Sequence, residues 1–350
     1  MGRNRRTIAA AALLAVVCAA APAGAQTPVY DPDPAMEAAA TREGRVVLYT
    51  TWIVDQLARP MITAFEKRFP KIKVDFVRGD SSQNLMKMVT EKKAGAPQSD
   101  VWSLSAGFDE LYKVDGVQPV DLPSTHDLPP QYKDARGRWF ATYIVVHVPS
   151  YNTSMIAAKD LPRTYEDLLD PRWKGKLVWK RGDVTGSSGF LANILTSFGD
   201  EKGKAYLREL AKQNIIGYEG SVRALLDNVV SGEYGFALTT VNFHAAISAA
   251  QGAPVKWFPI EPVAVSMTSG GVTKGGPHPN AARLFLDFVM SKAGQTVIRD
   301  VGYLPVRPDM PALYPELKPE QGGFRANFIR PDQVDENYAK WQALEKEIFR

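Results

Sequence analysis

The chain alternates between short apolar stretches with the period of a β-strand and longer stretches with the period of an amphipathic helix. The first strands are predicted at residues 45–50, 72–76 and 100–104. A helix is predicted in each interval, and in the first one Leu57, Met61 and Phe65 fall on one face. A β-α-β-α-β order predicts a parallel sheet with right-handed crossovers. We therefore expect a first lobe of the α/β class.

Two extended apolar runs, 139–148 and 255–273, are longer than one strand of a small sheet requires. Between them the alternation repeats, which predicts a second α/β lobe. Its predicted elements are strands at 176–180, 215–218 and 234–239, and helices at 190–198, at 204–213, after a cap at Ser221 and at 242–250. The runs would then be two crossing strands that join two lobes, each a mostly parallel sheet flanked by helices. The predicted lobes are 26–142 with 262–350, and 143–261.

The first 25 residues have the pattern of a cleavable signal peptide. Three arginines precede an apolar segment at 7–17, and Ala23-Gly24-Ala25 supplies a cleavage signal. An N-terminal membrane anchor is the alternative, although the apolar segment is short for a bilayer span. We therefore expect residues 1–25 to be removed and about 325 residues to remain in the periplasm.

Composition narrows the classes of function. Cys18 is the only cysteine and lies within the predicted signal peptide, so neither a thiol nucleophile nor a thiolate metal site is expected. The four histidines show no His-x-x-x-His spacing, and no metal or cofactor is predicted. Removing the three N-terminal arginines from the formal net charge of +4 leaves +1, and basic and acidic residues are interleaved elsewhere. No nucleic-acid partner is expected.

Motifs spread over most of the chain carry a family resemblance. They are Tyr165-Glu166-Asp167-Leu168, Trp173-Lys174-Gly175-Lys176, Pro279-Asn280-Ala281-Ala282, Phe285-Leu286-Asp287-Phe288-Val289-Met290-Ser291, Gly294-Gln295 and Gly302-Tyr303-Leu304-Pro305-Val306-Arg307. With them, residues 47–310 resemble the type 2 periplasmic binding proteins of ABC importers, in the branch of ferric-iron and organic-solute binders. The resemblance implies the two-lobed periplasmic-binding-protein type 2 fold. It also implies a small-molecule ligand and an ABC permease of the inner membrane as partners of a monomer.

The resemblance is incomplete at the metal-binding positions. Iron-binding members use a tyrosine pair where this chain has Asn242-Phe243, and a histidine where it has Thr50-Thr51-Trp52-Ile53. Their glutamate after the third strand is replaced near Ser103-Leu104-Ser105. Fe³⁺ is a hard cation that requires anionic oxygens, which these residues do not supply. The resemblance therefore implies the fold of this branch without its iron ligands.

Polar or aromatic residues just after parallel strands are the candidate ligand contacts, because the carboxyl ends of the strands in both lobes converge on the cleft. The predicted set is Thr51, Trp52, Ser81, Ser82, Ser105, Tyr143, Arg181, Ser187, Ser188, Ser221, Thr240 and Asn242. The loop Gly186-Ser187-Ser188-Gly189 indicates an anion, since glycines permit close approach and a helix N-terminus offers free N–H groups. The resembling family uses this loop for phosphate-like or carboxylate groups.

Several of these residues have a second interpretation. Ser187, Ser188, Ser81 or Ser82 could be ordinary helix N-caps. Trp52 either stacks on a ligand, packs at the hinge or belongs to the core. Arg181 either binds a ligand anion in a forked geometry or pairs with Asp183.

The expected function is that of a periplasmic receptor that closes over a small anionic organic solute, such as a phosphonate, a phosphate ester or a carboxylate. The chain lacks a Gly-x-Ser-x-Gly elbow, a His-Glu-x-x-His motif and a P-loop, so it is not expected to be an enzyme. Two alternatives stay open. One is ferric iron bound through exogenous anions, and the other is a secreted enzyme on the same fold.

Overall fold

The computed structural model describes residues 28–182 and 184–349. Within these ranges the strands are β1 (Arg45–Thr50), β2 (Lys73–Arg78), β3 (Val101–Leu104), β4 (Val117–Gln118), β5 (Phe140–Asn152), β6 (Leu177–Lys180), β7 (Ile216–Tyr218), β8 (Phe236–Val241), β9 (Val255–Trp257), β10 (Val263–Thr273), β11 (Leu304–Pro305) and β12 (Ala326–Phe328). The α-helices are α1 (Pro34–Glu43), α2 (Arg59–Arg68), α3 (Ser81–Lys93), α4 (Phe108–Lys113), α5 (Ser187–Phe198), α6 (Asp200–Ala211), α7 (Val222–Ser231), α8 (Asn242–Ala250), α9 (Pro279–Met290), α10 (Lys292–Asp300), α11 (Pro319–Gly322) and α12 (Pro331–Ile348). The predicted signal peptide lies outside the described residues.

One mixed sheet, in the order β2-β1-β3-β10-β5-β8-β6-β7, runs through both lobes. In the first lobe β1 pairs in parallel with β2 and with β3. In the second lobe β6 pairs in parallel with β7 and with β8. The predicted α/β architecture of two parallel-sheet lobes joined by crossing strands is confirmed.

The two long strands β5 and β10 form the neck between the lobes. They pair antiparallel from Phe140↔Gly270 to His147↔Ala264. Beyond His147, β5 continues into the second lobe, where it pairs with β8 and β9. Both strands are buried along their whole length, which explains their apolar sequence.

The predicted single run at 255–273 is instead two strands, β9 and β10. The intervening segment contains Pro259 and Pro262, and a proline has no N–H to donate to a strand ladder. The peptide bond between Glu261 and Pro262 is cis. The second crossing therefore begins only at Val263, in β10.

The segment before β1 folds against the first lobe. Asp33 caps α1 by accepting a hydrogen bond from the N–H of Ala35 at 2.8 Å, and Gly44 ends the helix with φ of +66°. Tyr30 donates to Asp287 on α9 at 2.6 Å, which fixes the chain ahead of the helix. The first lobe therefore includes one helix that strand and helix periodicity did not predict.

The C-terminal helix α12 packs mainly against α5 and α6 of the second lobe. The ring of Phe349 lies 4.6 Å from that of Trp179. This helix also contacts α4 of the first lobe, the lobe to which the predicted division assigns it. The predicted division at 142/143 and 261/262 stays a prediction. No helix in the described part of the chain has both the length and the apolarity that a bilayer span requires.

Candidate functional site

A cleft of about 410 Å³ opens between the lobes beside the neck. Its first-lobe wall follows β1, β2 and β3, and its second-lobe wall follows β6, β7 and β8. The N-terminal turns of α3, α7 and α8 all contribute to the lining. A larger groove of about 600 Å³ on the outside of the first lobe is mainly apolar and involves only that lobe. Of these two cavities, only the cleft is lined by both lobes at the ends of their strands, and it is therefore the candidate site.

Six of the twelve predicted residues line this cleft. They are Thr51, Ser81, Ser82, Ser105, Tyr143 and Ser221. All but Tyr143 follow the carboxyl end of a strand, while Tyr143 lies on β5 at the floor of the cleft. The rule that polar residues after parallel strands converge therefore located five of the twelve, and the crossing strand supplied Tyr143.

The start of α3 differs from the prediction in its cap. The side chain of Asp80, not that of Ser81 or Ser82, accepts a hydrogen bond from the N–H of Gln83 at 2.8 Å. In return, the side-chain oxygen of Gln83 accepts a hydrogen bond from the N–H of Asp80. This reciprocal capping box leaves the serines for other partners. Ser81 accepts from the N–H of Ser105 at 3.0 Å and so links two loops of the first-lobe wall.

Trp52 does not line the cleft. Its side chain is 1% exposed and lies in the first-lobe core. The N–H of Trp52 donates to the hydroxyl of Thr50 at 3.0 Å, which turns the chain inward directly after β1. The structure thus agrees with the core interpretation of this tryptophan and gives no surface on which a ligand could stack.

The glycine-serine loop at the start of α5 is packed more tightly than predicted. Ser187 and Ser188 are fully buried, and neither lines the cleft. The hydroxyl of Ser187 accepts from the N–H of Gly182 at 2.8 Å, while the hydroxyl of Ser188 has no partner among the described residues. Gly182 and Thr185 reach the cleft in their place.

Arg181 does not line the cleft. Gly217 on β7 has no side chain, and the guanidinium of Arg181 lies in the space that a Cβ at this position would occupy. Among the described residues it lies 3.9 Å from the largely exposed carboxylate of Glu219. The predicted pairing with Asp183 lies outside the described residues.

Thr240 and Asn242 are buried because β8 extends two residues further than predicted. Thr240 therefore lies inside the strand, where its hydroxyl donates to the carbonyl of Val148 at 2.9 Å. The side chain of Asn242 donates to the carbonyl of Leu317 at 2.7 Å, and neither residue lines the cleft. The residues of this segment that line the cleft are Val241, Phe243 and His244.

Three cationic side chains that the sequence analysis did not select line the cleft: Arg78, Lys180 and Arg223. Arg78 and Lys180 are the last residues of β2 and β6, so the same strand-end rule, applied one residue earlier, would have found them. Arg223 is the second residue of α7. Its Nη2 contacts Asp227 at 2.7 Å, whereas its Nη1 is buried without a partner among the described residues.

The floor of the cleft is aromatic. The ring of Tyr303 lies 5.1 Å from that of Tyr143 and 4.2 Å from that of Phe243. Burial raises the pKa of Tyr143 to about 12 and that of Tyr303 well above its ordinary value. Burial, with the nearby charge of Arg223, lowers the pKa of His244 to about 3. At neutral pH this floor is therefore uncharged.

The carboxylates of Asp80 and Glu219 also line the cleft, but the first is used as a helix cap and the second is mostly exposed to solvent. Asp80 caps α3, and the side chain of Glu219 is 82% exposed. Within residues 28–182 and 184–349 no group of three or more His, Cys, Asp or Glu side chains could hold a metal ion. The cleft therefore combines a neutral floor with cationic side chains on both walls.

Comparisons with known proteins agree with this architecture. A family model for bacterial extracellular solute-binding proteins matches residues 102–335. The iron uptake protein A1 of Synechocystis is 24% identical over 247 residues, which cover 66% of this chain and 68% of that protein. An Fe(3+)-binding periplasmic protein of Serratia marcescens is 24% identical over 271 residues, covering 75% and 78%.

Solved structures share the fold at low identity. The periplasmic binding protein AfuA from Actinobacillus pleuropneumoniae, with fructose-6-phosphate bound, superposes with a TM-score of 0.71. It is 22% identical, and the match covers 87% of this chain and 96% of AfuA. The match to the family model spans well over half of the chain. The chain therefore belongs to the bacterial extracellular solute-binding proteins, as a type 2 periplasmic solute-binding protein of an ABC importer.

Proposed function

We propose that this receptor binds a small anionic organic solute, such as a phosphate ester, a phosphonate or a carboxylate, in the cleft between its lobes. The observation that supports this most is the placement of cations on both walls: Arg78 on the first lobe, and Lys180 and Arg223 on the second. A ligand held by both walls favours the closed form, since it makes all of its contacts only when the lobes approach.

The polar atoms of the site complement an anion better than a neutral or cationic solute. The N-terminal turns of helices α3, α7 and α8 line the cleft, and the positive end of a helix dipole favours negative charge. Nη1 of Arg223 is buried and has no partner among residues 28–182 and 184–349, and a buried charged donor left unpaired is costly. An anionic group on the ligand would relieve this cost.

Titration calorimetry of the purified protein with a panel of phosphate monoesters, phosphonates and small carboxylates tests the proposal. At least one class is expected to give saturable heat, and an uncharged sugar and a diamine serve as controls. Flat heats with every anion, together with binding of a control solute, would overturn it. Mass spectrometry of any molecule that co-purifies with the protein would identify the natural ligand, which the binding protein releases unchanged.

Ferric iron bound through exogenous anions is a second candidate, and the similarity to an iron uptake protein and to an Fe(3+)-binding periplasmic protein favours it. Among the described residues no group of three or more His, Cys, Asp or Glu side chains could hold a metal ion, and burial raises the pKa of Tyr143 and Tyr303, so both phenols are protonated in the metal-free protein. An iron ion would therefore depend on an anion such as citrate held by the cationic walls. A visible charge-transfer band on adding ferric citrate would support this candidate, and a colourless mixture would count against it.

The proposal also covers the export, the oligomeric state and the transport role of the protein. We propose that residues 1–25 are removed on export, that the mature protein is a monomer, and that it hands its ligand to the permease without chemical change. Intact-mass measurement of the periplasmic protein and its elution volume in gel filtration test the first two. Recovery of the bound solute unaltered tests the third.

A further inference from the structure

Helix α12 contacts a cleft-lining loop in each lobe. The first loop, residues 105–107, follows β3 and includes Ser105, which lines the cleft. The second loop, residues 181–186, follows β6 and includes Gly182 and Thr185, which line the opposite wall. These loops belong to different lobes, so one helix connects the two sides of the site.

The contact with the first loop is made by Asp335. Its two carboxylate oxygens accept hydrogen bonds from the N–H groups of Gly107 and Asp109, each at 3.1 Å. Burial, with the nearby charge of Asp109, raises the pKa of Asp335 to about 6. A carboxylate in this position fixes the turn that carries the chain from Ser105 into α4.

The contact with the second loop is made by Tyr338. Its hydroxyl donates to the carbonyl of Gly182 at 2.5 Å. Asp335 and Tyr338 are three residues apart, so both project from the same face of α12. A displacement of the helix that loosens one contact therefore also moves the other.

A small apolar cluster reinforces the same connection. Val334 and Trp341 of α12 are buried in it together with Val184 of the second loop. Ala106 of the first loop packs against this cluster. The cluster thus contains α12 and one residue of each cleft loop. At its far end the helix is anchored in the second-lobe core through Phe349.

We propose that α12 couples the two cleft loops, so that a change at one is transmitted to the other, and that Asp335 and Tyr338 are positioning residues for the ligand. The residues do not line the cleft themselves; they hold the loops that do. The consequence for ligand binding rests on the proposed function, whereas the coupling between the loops does not.

Hydrogen–deuterium exchange of the ligand-free protein at pH 7.5 tests the coupling. Tyr338→Phe removes only the hydroxyl that binds the second loop, and Asp335→Asn replaces one of the two acceptor oxygens that bind the first. We expect each variant to accelerate exchange about fivefold in both loops, because each loosens the shared helix. Glu347→Gln is the control, since it removes only the ion pair with Arg208 at the far end of α12.

The outcomes separate the coupling from the ligand assignment. If each variant accelerates exchange only in the loop that it touches, or if Glu347→Gln has the same effect, the proposed coupling is wrong. If either variant fails to fold, the other carries the test, because each is predicted to affect the loop it does not contact. A coupled response in a protein that binds none of the anions tested would support the coupling and contradict the proposed ligand class.

Discussion

The hydroxyl of Tyr303 lies 3.3 Å from Nε2 of His244, at the place where the two lobes meet on the floor of the cleft. The same hydroxyl donates its proton to the side chain of Gln56 at 3.1 Å. Because a phenol has one proton, Nε2 of the neutral imidazole must be the donor to Tyr303. Nδ1 is then an acceptor, and it is buried without a partner among the described residues.

The burial of His244 predicts a loss of stability in acid. Its pKa is about 3 in the folded protein and about 6.5 in an unfolded chain, so the unfolded state binds the proton first as the pH falls. Between pH 7.5 and pH 5 this residue should lower the free energy of unfolding by about 2 kcal/mol. Urea unfolding of the wild type and of His244→Gln at both pH values measures the difference. Equal losses in the two proteins would contradict the prediction.

Arg223 should determine the affinity for an anion. Arg223→Gln removes the cation and is expected to weaken binding of any anion identified by calorimetry by about 10- to 100-fold. Asp227→Asn is the matched control, because it removes the same ion pair on α7 but leaves the guanidinium in place. Its affinity should equal or exceed that of the wild type. Similar losses of affinity in both variants would contradict the prediction, because they would show that binding depends on the Arg223–Asp227 ion pair and not on the charge of Arg223.

Periodicity predicted the elements well where local pattern and long-range packing agree. The predicted strand at 45–50 is β1, and the predicted helix at 242–250 is α8. The end of β8 was missed because pairing of Val241 with His147 extends the strand beyond its apolar run. This shift of two residues moved Thr240 from a predicted loop into the core.

The site was predictable only in part, for a related reason. Strand order tells which loops converge on the cleft, but side-chain direction depends on contacts between distant residues. Arg181 packs over Gly217 of the neighbouring strand, which has no side chain, and does not line the cleft. Arg223 enters the lining because α7 presents its first turn to the cleft, which requires the position of the whole helix. Neither relationship is encoded within a few residues of the side chain concerned.

Trp52 should contribute to folding and not to ligand affinity. Trp52→Ala leaves a large cavity in the first-lobe core and is expected to cost about 3–5 kcal/mol of unfolding free energy. Trp52→Phe should cost less, because it keeps an aromatic ring and removes an indole N–H that has no partner among the described residues. Chemical denaturation measures both. If Trp52→Phe had normal stability but sharply reduced ligand affinity, the prediction would be wrong and Trp52 would contribute to ligand binding.

Two glycines near the second cleft loop should respond differently to the same substitution. A Cβ on Gly189, in the first turn of α5, would lie 1.9 Å from the carbonyl oxygen of Val184, so the helix and the loop would have to separate. Overpacking of this kind costs about 1–3 kcal/mol or more. Gly182 has φ of +62° but open space around it, and Gly182→Ala should cost only about 1 kcal/mol through backbone strain. Thermal unfolding should therefore show a clearly larger loss for Gly189→Ala. If Gly189→Ala were the milder change, the close packing of α5 on this loop would be incorrect, and with it the reason that Ser188 is buried.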